Sequence, residues 1–147
     1  MYLKQHIFFG FVFASVLFLL FPKISYIGFL IVFLSSVLID FDHYIYYVYK
    51  NKNFNLKKAY NWFMQEDNNC RSLPWKQRNN LPGAICVFHG VEVLIILLFV
   101  SIIFNFFILV FVGFAFHLLL DSVEQTTYWN KMDKLSTIYD ILKIKSN

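Results

Sequence analysis

The stretch that decides the fold is residues 84–121, which read AICVFHGVEVLIILLFVSIIFNFFILVFVGFAFHLLLD. A membrane-spanning helix takes about 20 predominantly apolar residues, so this stretch is too long for one span. Asn105 is the only strongly polar turn residue near its middle, and it predicts a break over residues 101–105. We therefore expect two short transmembrane helices, over residues 84–101 and 105–121.

Two more apolar runs precede this stretch, over residues 6–21 and 25–47, with Pro22 and Lys23 between them. Hydrophobic residues make up 59% of the chain and charged residues only 15%, whereas soluble domains carry about 25% charged residues. No small-residue cleavage site follows the first run, so it predicts a retained helix rather than a signal peptide. The sequence thus predicts an all-α fold, a single integral membrane domain over residues 1–147 built as a four-helix transmembrane bundle.

The polar segments predict the topology. The loop over residues 50–83 contains an amphipathic helix from Leu56 to Glu66, and the tail over residues 122–147 contains a short helix from Lys134 to Lys145. With four spans, 12 of the 13 Lys and Arg residues lie on one side, and only Lys23 lies on the other. The positive-inside rule then places both termini and the loop in the cytoplasm, with the protein in the inner or cell membrane. The basic side would attract anionic lipid, and no nucleic-acid partner is needed to explain the net charge of +4.

Ionisable side chains on the apolar runs are the strongest functional signal, because such groups are costly in a membrane and usually mark function. Three helical pairs combine an imidazole with a carboxylate three or four residues away, and a fourth imidazole begins the first run. By helical rise, all of them fall in one layer, roughly 18–29 Å from the nearer hairpin turn. The predicted metal ligands are His6, Asp40, His43, His89, Glu92, His117 and Asp121.

Imidazole and carboxylate ligands suit zinc best, and manganese or iron also fit. Seven ligands exceed the needs of one tetrahedral ion, so two or more ions are compatible with the pattern. Asp42 lies roughly 160° around the helix from Asp40, which favours a supporting role or a general base; Glu92 is the other candidate base. The two cysteines do not predict a Cys-based site. The alternative for each pair is a local hydrogen bond, and for His6 an interfacial position.

These motifs resemble the YdjM-like membrane-bound metal-dependent hydrolases. Residues 35–43, SSVLIDFDH, resemble that family's LPDIDH segment, and residues 116–121, FHLLLD, resemble its SHLLLD segment. Residues 88–92, FHGVE, are similar to a form found in some relatives, and His6 matches an N-terminal histidine. The resemblance covers about residues 1–125. The family's remote similarity to zinc-dependent phospholipase C and P1 nuclease implies clustered metals and phosphoester hydrolysis.

We therefore expect a metal-dependent hydrolase that acts on an amphiphilic or lipid phosphate at the cytoplasmic face. The bound cation would acidify water for attack on a phosphorus or acyl centre. A di-metal oxidoreductase is one alternative, since helical bundles also hold di-iron sites, but their paired Glu-x-x-His motifs are absent from the sequence. A non-enzymatic metal-binding membrane protein is the other.

Overall fold

The apolar runs form helices, and polar or helix-breaking residues separate them. The computed structural model describes residues 3–74, 77, 86–129 and 136–137, with the backbone only at residues 128 and 129. Ser25 begins the second helix, because its side chain accepts a hydrogen bond from the Gly28 N–H at 3.2 Å. The elements are α1 (Leu3–Leu20), α2 (Tyr26–Leu38), α3 (Phe41–Asn51), α4 (Leu56–Ser72), a 3₁₀ turn (Val87–His89), α5 (Val91–Ile103), α6 (Phe107–Glu124) and a π-helical turn (Gln125–Trp129).

The predicted all-α class is confirmed for the described residues, which contain no strand. Three helical segments are long and apolar enough to cross a membrane: Leu3–Leu20, Tyr26–Asn51 and Phe107–Thr127. The second of these combines α2 and α3. The remaining apolar helix, α5, has 13 residues and a length of about 20 Å.

The second apolar run, predicted over residues 25–47, gives one candidate span, Tyr26–Asn51, and a turn divides that span into α2 and α3. The chain turns at Ile39 and Asp40, where the Asp40 N–H donates to the Val37 carbonyl at 3.3 Å. An uninterrupted α-helix would have used the Ser36 carbonyl instead. The tightened turn frees that carbonyl and changes the direction in which the following side chains point.

The third apolar run also differs from its prediction over residues 84–101. Gly90 has an extended backbone (φ −90°, ψ 146°) between the 3₁₀ turn and α5. His89 and Glu92 therefore belong to different elements, and the prediction that they share one helical face is wrong. Residues 84 and 85 lie outside the described part of the chain.

Small residues bring α2 close to its neighbours. A Cβ atom added at Gly113 of α6 would lie 2.6 Å from the Val32 carbonyl oxygen of α2, so only glycine fits there. Gly10 of α1 packs in the same way against Ser36. Close backbone approach at small residues is typical of membrane helices. Helix α2 therefore lies between α1 and α6, and α6 also packs against α5.

Helix α4 begins at Asn55, whose side chain accepts a hydrogen bond from the Lys58 N–H, and it extends to Ser72, beyond the predicted end at Glu66. Near its C-terminus, Arg71 donates to Asp67 and to Glu124 of α6, each at 2.7 Å. Burial lowers the pKa of the Arg71 guanidinium, but these two carboxylates outweigh it and raise that pKa above its usual value. The predicted C-terminal helix lies outside the described residues, apart from residues 136 and 137.

Candidate metal centre

Four potential metal-ligand atoms from three parts of the chain lie close together. They are Asp40 Oδ1 at the turn between α2 and α3, His89 Nε2 on the 3₁₀ turn, and His117 Nε2 and Asp121 Oδ2 on α6. Both imidazoles are buried, and both carboxylates are largely buried. The predicted pairing of His117 with Asp121 across one turn of α6 is present in the structure.

The distances from the two imidazole nitrogens to each other and to the two carboxylate oxygens are those of ligands that share one metal ion. The two Nε2 atoms are 3.2 Å apart. Each nitrogen lies 3.5 Å from Asp40 Oδ1, and the distances to Asp121 Oδ2 are 3.5 Å from His89 and 3.4 Å from His117. Tetrahedral zinc with bonds of about 2.0–2.1 Å holds its ligands about 3.3–3.4 Å apart. These five distances, 3.2–3.5 Å, are therefore compatible with four ligands around one metal ion.

The Ser36 carbonyl fixes the orientation of His117. The His117 Nδ1–H donates to this carbonyl at 2.7 Å, and a carbonyl oxygen can only accept. This is the carbonyl released by the turn at Ile39 and Asp40. In a neutral imidazole the proton on Nδ1 leaves a lone pair on Nε2, which points into the cluster.

Asp42 orients His89 in the same way. Its Oδ2 accepts from the His89 Nδ1–H and from the Phe88 N–H, each at 3.0 Å. The carboxylate therefore keeps the proton of the neutral ring on Nδ1 and leaves the Nε2 lone pair facing the cluster. Metal-binding histidines usually donate their second ring N–H to a carboxylate or a backbone carbonyl, and the two partners here are one of each.

This donor arrangement fits a divalent cation. The two Nε2 atoms lie 3.2 Å apart with two carboxylate oxygens beside them, and when both rings are neutral and carry their protons on Nδ1, the lone pairs repel unless a cation lies between them. A divalent ion would satisfy all four donors, and two neutral imidazoles with two carboxylates form a neutral site around it. The protein thus offers four donors at metal-ligand spacing. Hydrogen bonds at the Nδ1 atoms of His89 and His117 fix the orientation of the two imidazole donors.

His6 lies behind the two carboxylates. Its Nδ1 is 3.1 Å from Asp40 Oδ2, and its Nε2 is 3.2 Å from Asp121 Oδ1. Each is the second oxygen of a carboxylate whose first oxygen belongs to the four-atom cluster. The buried Nε2 has no well-directed hydrogen-bond partner among the described residues. The structure thus brings His6 to the site, in a position that bridges the two carboxylates.

The other predicted residues occupy different positions. His43 stacks on His89 with ring centroids 4.7 Å apart, and its Nε2 is 3.7 Å from Asp40 Oδ1. The Glu92 carboxylate accepts hydrogen bonds from the Ser136 hydroxyl and, at 3.3 Å, from the Thr137 N–H. Among the described residues Glu92 joins none of the three groups of side chains that could hold a metal. The extended Gly90 separates it from His89.

Cys86 is the residue that the sequence prediction missed. Its Sγ lies 2.7 Å from His43 Nδ1, and the side chain is buried beside His89. The sequence carried no local signal for this contact, because His43 lies 43 residues before Cys86.

An apolar cleft leads to the cluster between α5 and α6. Its volume is about 330 Å³, and His89 and Asp121 lie among its lining residues. The other lining side chains are mainly aliphatic, including Leu94, Ala115 and Leu118. The cleft can therefore accept an apolar group while a polar group reaches the cluster.

Comparison with known proteins gives no assignment. No family model matches the chain, and no curated protein or solved structure matches it.

Proposed function

We propose that this protein is a membrane-bound, metal-dependent hydrolase that cleaves a phosphoester in an amphiphilic substrate. The observation that carries the proposal is that two imidazole nitrogens lie 3.2 Å apart, with a carboxylate oxygen of Asp40 and one of Asp121 at 3.4–3.5 Å from them. Zinc suits this donor set best, and manganese or iron also accept it. The rest of the proposal concerns what surrounds that cation.

In the proposed membrane arrangement, α5 and the preceding 3₁₀ turn form the fourth span of a four-helix bundle. Packing of α5 against α6 supports this arrangement, as does the apolar composition of α5. The distribution of Lys and Arg then favours cytoplasmic termini and a cytoplasmic α4. The metal centre would lie near the cytoplasmic end of the hydrocarbon core.

Each part of the cluster has a distinct task in this reaction. The cation would act as a Lewis acid toward the phosphoryl group and would acidify water. His89 and His117 would hold the cation, and Asp42 would position His89. Positioning suits Asp42 better than proton abstraction, because Asp42 Oδ2 already accepts two hydrogen bonds. Asp121 lines the cleft, and its carboxylate would hold the cation on the side that faces the substrate.

The cleft supports an amphiphilic substrate. An acyl or prenyl chain would lie against the aliphatic residues of α5 and α6, and the phosphoester would reach His89 and Asp121. Because one wall of the cleft is α6, which is long and apolar enough to cross a membrane, a lipid could enter the cleft from the bilayer without passing through water. Membrane lipid thus surrounds the protein and is also its proposed class of substrate.

Helix α4 is the proposed cover of the site. Phe63 contacts His43 with ring centroids 5.4 Å apart, and Trp62 packs on Tyr47 of α3 at 5.7 Å. Lys57 and Lys58 near the start of α4 would attract an anionic headgroup toward the membrane surface. The pairing of Arg71 with Glu124 would hold the other end of the cover on α6.

The resemblance to YdjM-like hydrolases favours the same reaction class. The residues that carry it include Asp40, Asp42 and His43 in one segment and His117 and Asp121 in another. All five lie at or beside the cluster, in agreement with a shared reaction. The resemblance of residues 88–92 involves His89 in the cluster and Glu92 outside it.

The direct test is hydrolysis by detergent-purified protein loaded with zinc. The substrates would be a phospholipid, a polyprenyl phosphate and a water-soluble phosphoester. We expect release of phosphate or phosphoalcohol from a lipid substrate, inhibition by chelator and recovery with zinc. His117→Asn should abolish the reaction, whereas Asp67→Asn, a carboxylate change outside the cluster, should preserve it.

Two results would overturn the proposed function. One is a zinc-loaded protein that hydrolyses none of the substrates. The other is that the protein as purified contains iron, shows a visible absorption spectrum and reacts with oxygen. That result would favour the di-metal oxidoreductase. Zinc without any turnover would favour a non-enzymatic metal-binding protein.

A further inference from the structure

A second group of donors lies on the other side of Asp42. While Asp42 Oδ2 orients His89, its Oδ1 is buried and has no hydrogen-bond partner among the described residues. The side chain is only 4% exposed, so bulk water does not solvate this oxygen freely. An unsatisfied buried carboxylate oxygen is costly, and it calls for a ligand.

The oxygen faces an imidazole and a thiol. Asp42 Oδ1 is 3.6 Å from His43 Nδ1, which shares a hydrogen bond of 2.7 Å with Cys86 Sγ. A bound ion would replace this hydrogen bond and separate the two atoms. Asp42 and His43 begin α3 just after the turn at Ile39 and Asp40, and Cys86 directly precedes the 3₁₀ turn. The same two local breaks that build the four-atom cluster therefore also bring these three donors together.

We propose that Asp42 Oδ1, His43 Nδ1 and Cys86 Sγ form a second cation site, selective for a thiophilic divalent ion such as zinc or cadmium. One oxygen, one nitrogen and one sulfur donor suit these ions, whereas magnesium and calcium prefer oxygen ligands. His89 is excluded from this ligand set because its Nδ1–H donates to Asp42 Oδ2. Three protein donors leave room for a fourth, exchangeable ligand.

This site is distinct from the four-atom cluster, although Asp42 links the two. It does not depend on hydrolysis, because the claim concerns only metal binding. Its distinguishing feature is sulfur, which the first cluster lacks. A cobalt-thiolate charge-transfer band therefore reports the second site alone.

The experiment is a cobalt titration of the full-length, chelator-stripped protein in detergent, followed by absorbance and by elemental analysis after zinc loading. We expect two zinc ions per chain and a thiolate-to-cobalt band. Cys86→Ser and Cys86→Ala should each remove the band and reduce the zinc content to one ion. Cys70→Ser is the matched control, and it should retain both the band and two ions.

Two further variants separate this proposal from the first site. His43→Ala should weaken the cobalt that produces the band by at least tenfold. His117→Asn should lose the first ion and retain the band, so failure of one site is distinguishable from failure of the other. Absence of the band from the unmodified protein, or its persistence in both Cys86 variants, would overturn the second site.

Discussion

Replacing His117 by Asn tests the four-atom cluster without disturbing the packing that holds it. The Asn side-chain amide nitrogen can take the place of the imidazole Nδ1 and donate to the Ser36 carbonyl, which now accepts at 2.7 Å. No atom of Asn reaches the position of Nε2. The variant thus removes one ligand and retains the hydrogen bond between α2 and α6.

The magnitude follows from the number of donors. Four-ligand zinc sites in small domains bind with roughly 10–16 kcal/mol, so one ligand of four accounts for about 2.5–4 kcal/mol. Since each 1.4 kcal/mol is a factor of ten, zinc affinity should fall by about 100- to 1000-fold. The metal-free protein should unfold at nearly the same temperature as the unmodified protein, because the lost atom contacts other ligands rather than the apolar core.

The assay is competition for zinc against a chromogenic chelator, with thermal unfolding measured in the presence and absence of zinc. Ser101→Ala is the control, because Ser101 is a buried helical residue whose hydroxyl donates only to its own helix, at the Leu98 carbonyl. It should bind zinc normally. A His117→Asn protein that is folded and retains full affinity would refute the assignment of Nε2 as a ligand.

Three other substitutions test separate parts of the structure. His6→Gln should lower zinc affinity at the first site by about 10- to 100-fold without changing the stoichiometry, because His6 contacts two ligand carboxylates. A loss of affinity as large as that of His117→Asn would instead indicate that His6 is itself a ligand. Ala115→Phe should fill the cleft, raise KM for a long-chain lipid phosphate and spare a short soluble phosphoester; equal effects on both substrates would contradict the cleft as the chain site. Gly113→Ala should destabilise the contact between α2 and α6 by about 1–3 kcal/mol, measured as a lower thermal midpoint in detergent, and an unchanged midpoint would show that Val32 can move aside.

The sequence was sufficient to predict the apolar helices because long apolar runs have few other stable structures. The predicted ends of the first run, residues 6–21, lie close to those of α1, and Pro22 explains where that helix stops. The break near Asn105 also lies where the structure separates α5 from α6. The agreement reflects signals that act locally, namely proline, a polar turn residue and the length of an apolar run.

The turn at Ile39 and Asp40 could not be predicted in the same way, because neither residue breaks a helix by itself. The turn is stabilised by tertiary contacts, because it frees the Ser36 carbonyl for His117. It also lets Asp40 reach the four-atom cluster while Asp42 reaches the Nδ1 side of His89. On an uninterrupted helix, these two carboxylates would point in nearly opposite directions. The role of Asp42 as the partner of His89 therefore depended on a contact between distant segments.

The pairing of His89 with Glu92 failed for a local reason. Glycine is unfavourable inside a helix, and the extended backbone of Gly90 before α5 separates the two side chains. The same rearrangement places Cys86 beside His43. A glycine between two candidate ligands was thus a warning against treating them as neighbours on one helical face.

The central claim is that the buried histidines and aspartates hold a divalent metal, and metal content tests it most directly. Full-length protein would be purified in detergent without added metal, and its zinc, iron and manganese would be measured against protein concentration. The account predicts at least one zinc ion per chain, removed by chelator and restored on titration. Folded protein that contains no divalent metal and takes up none at micromolar zinc would contradict it.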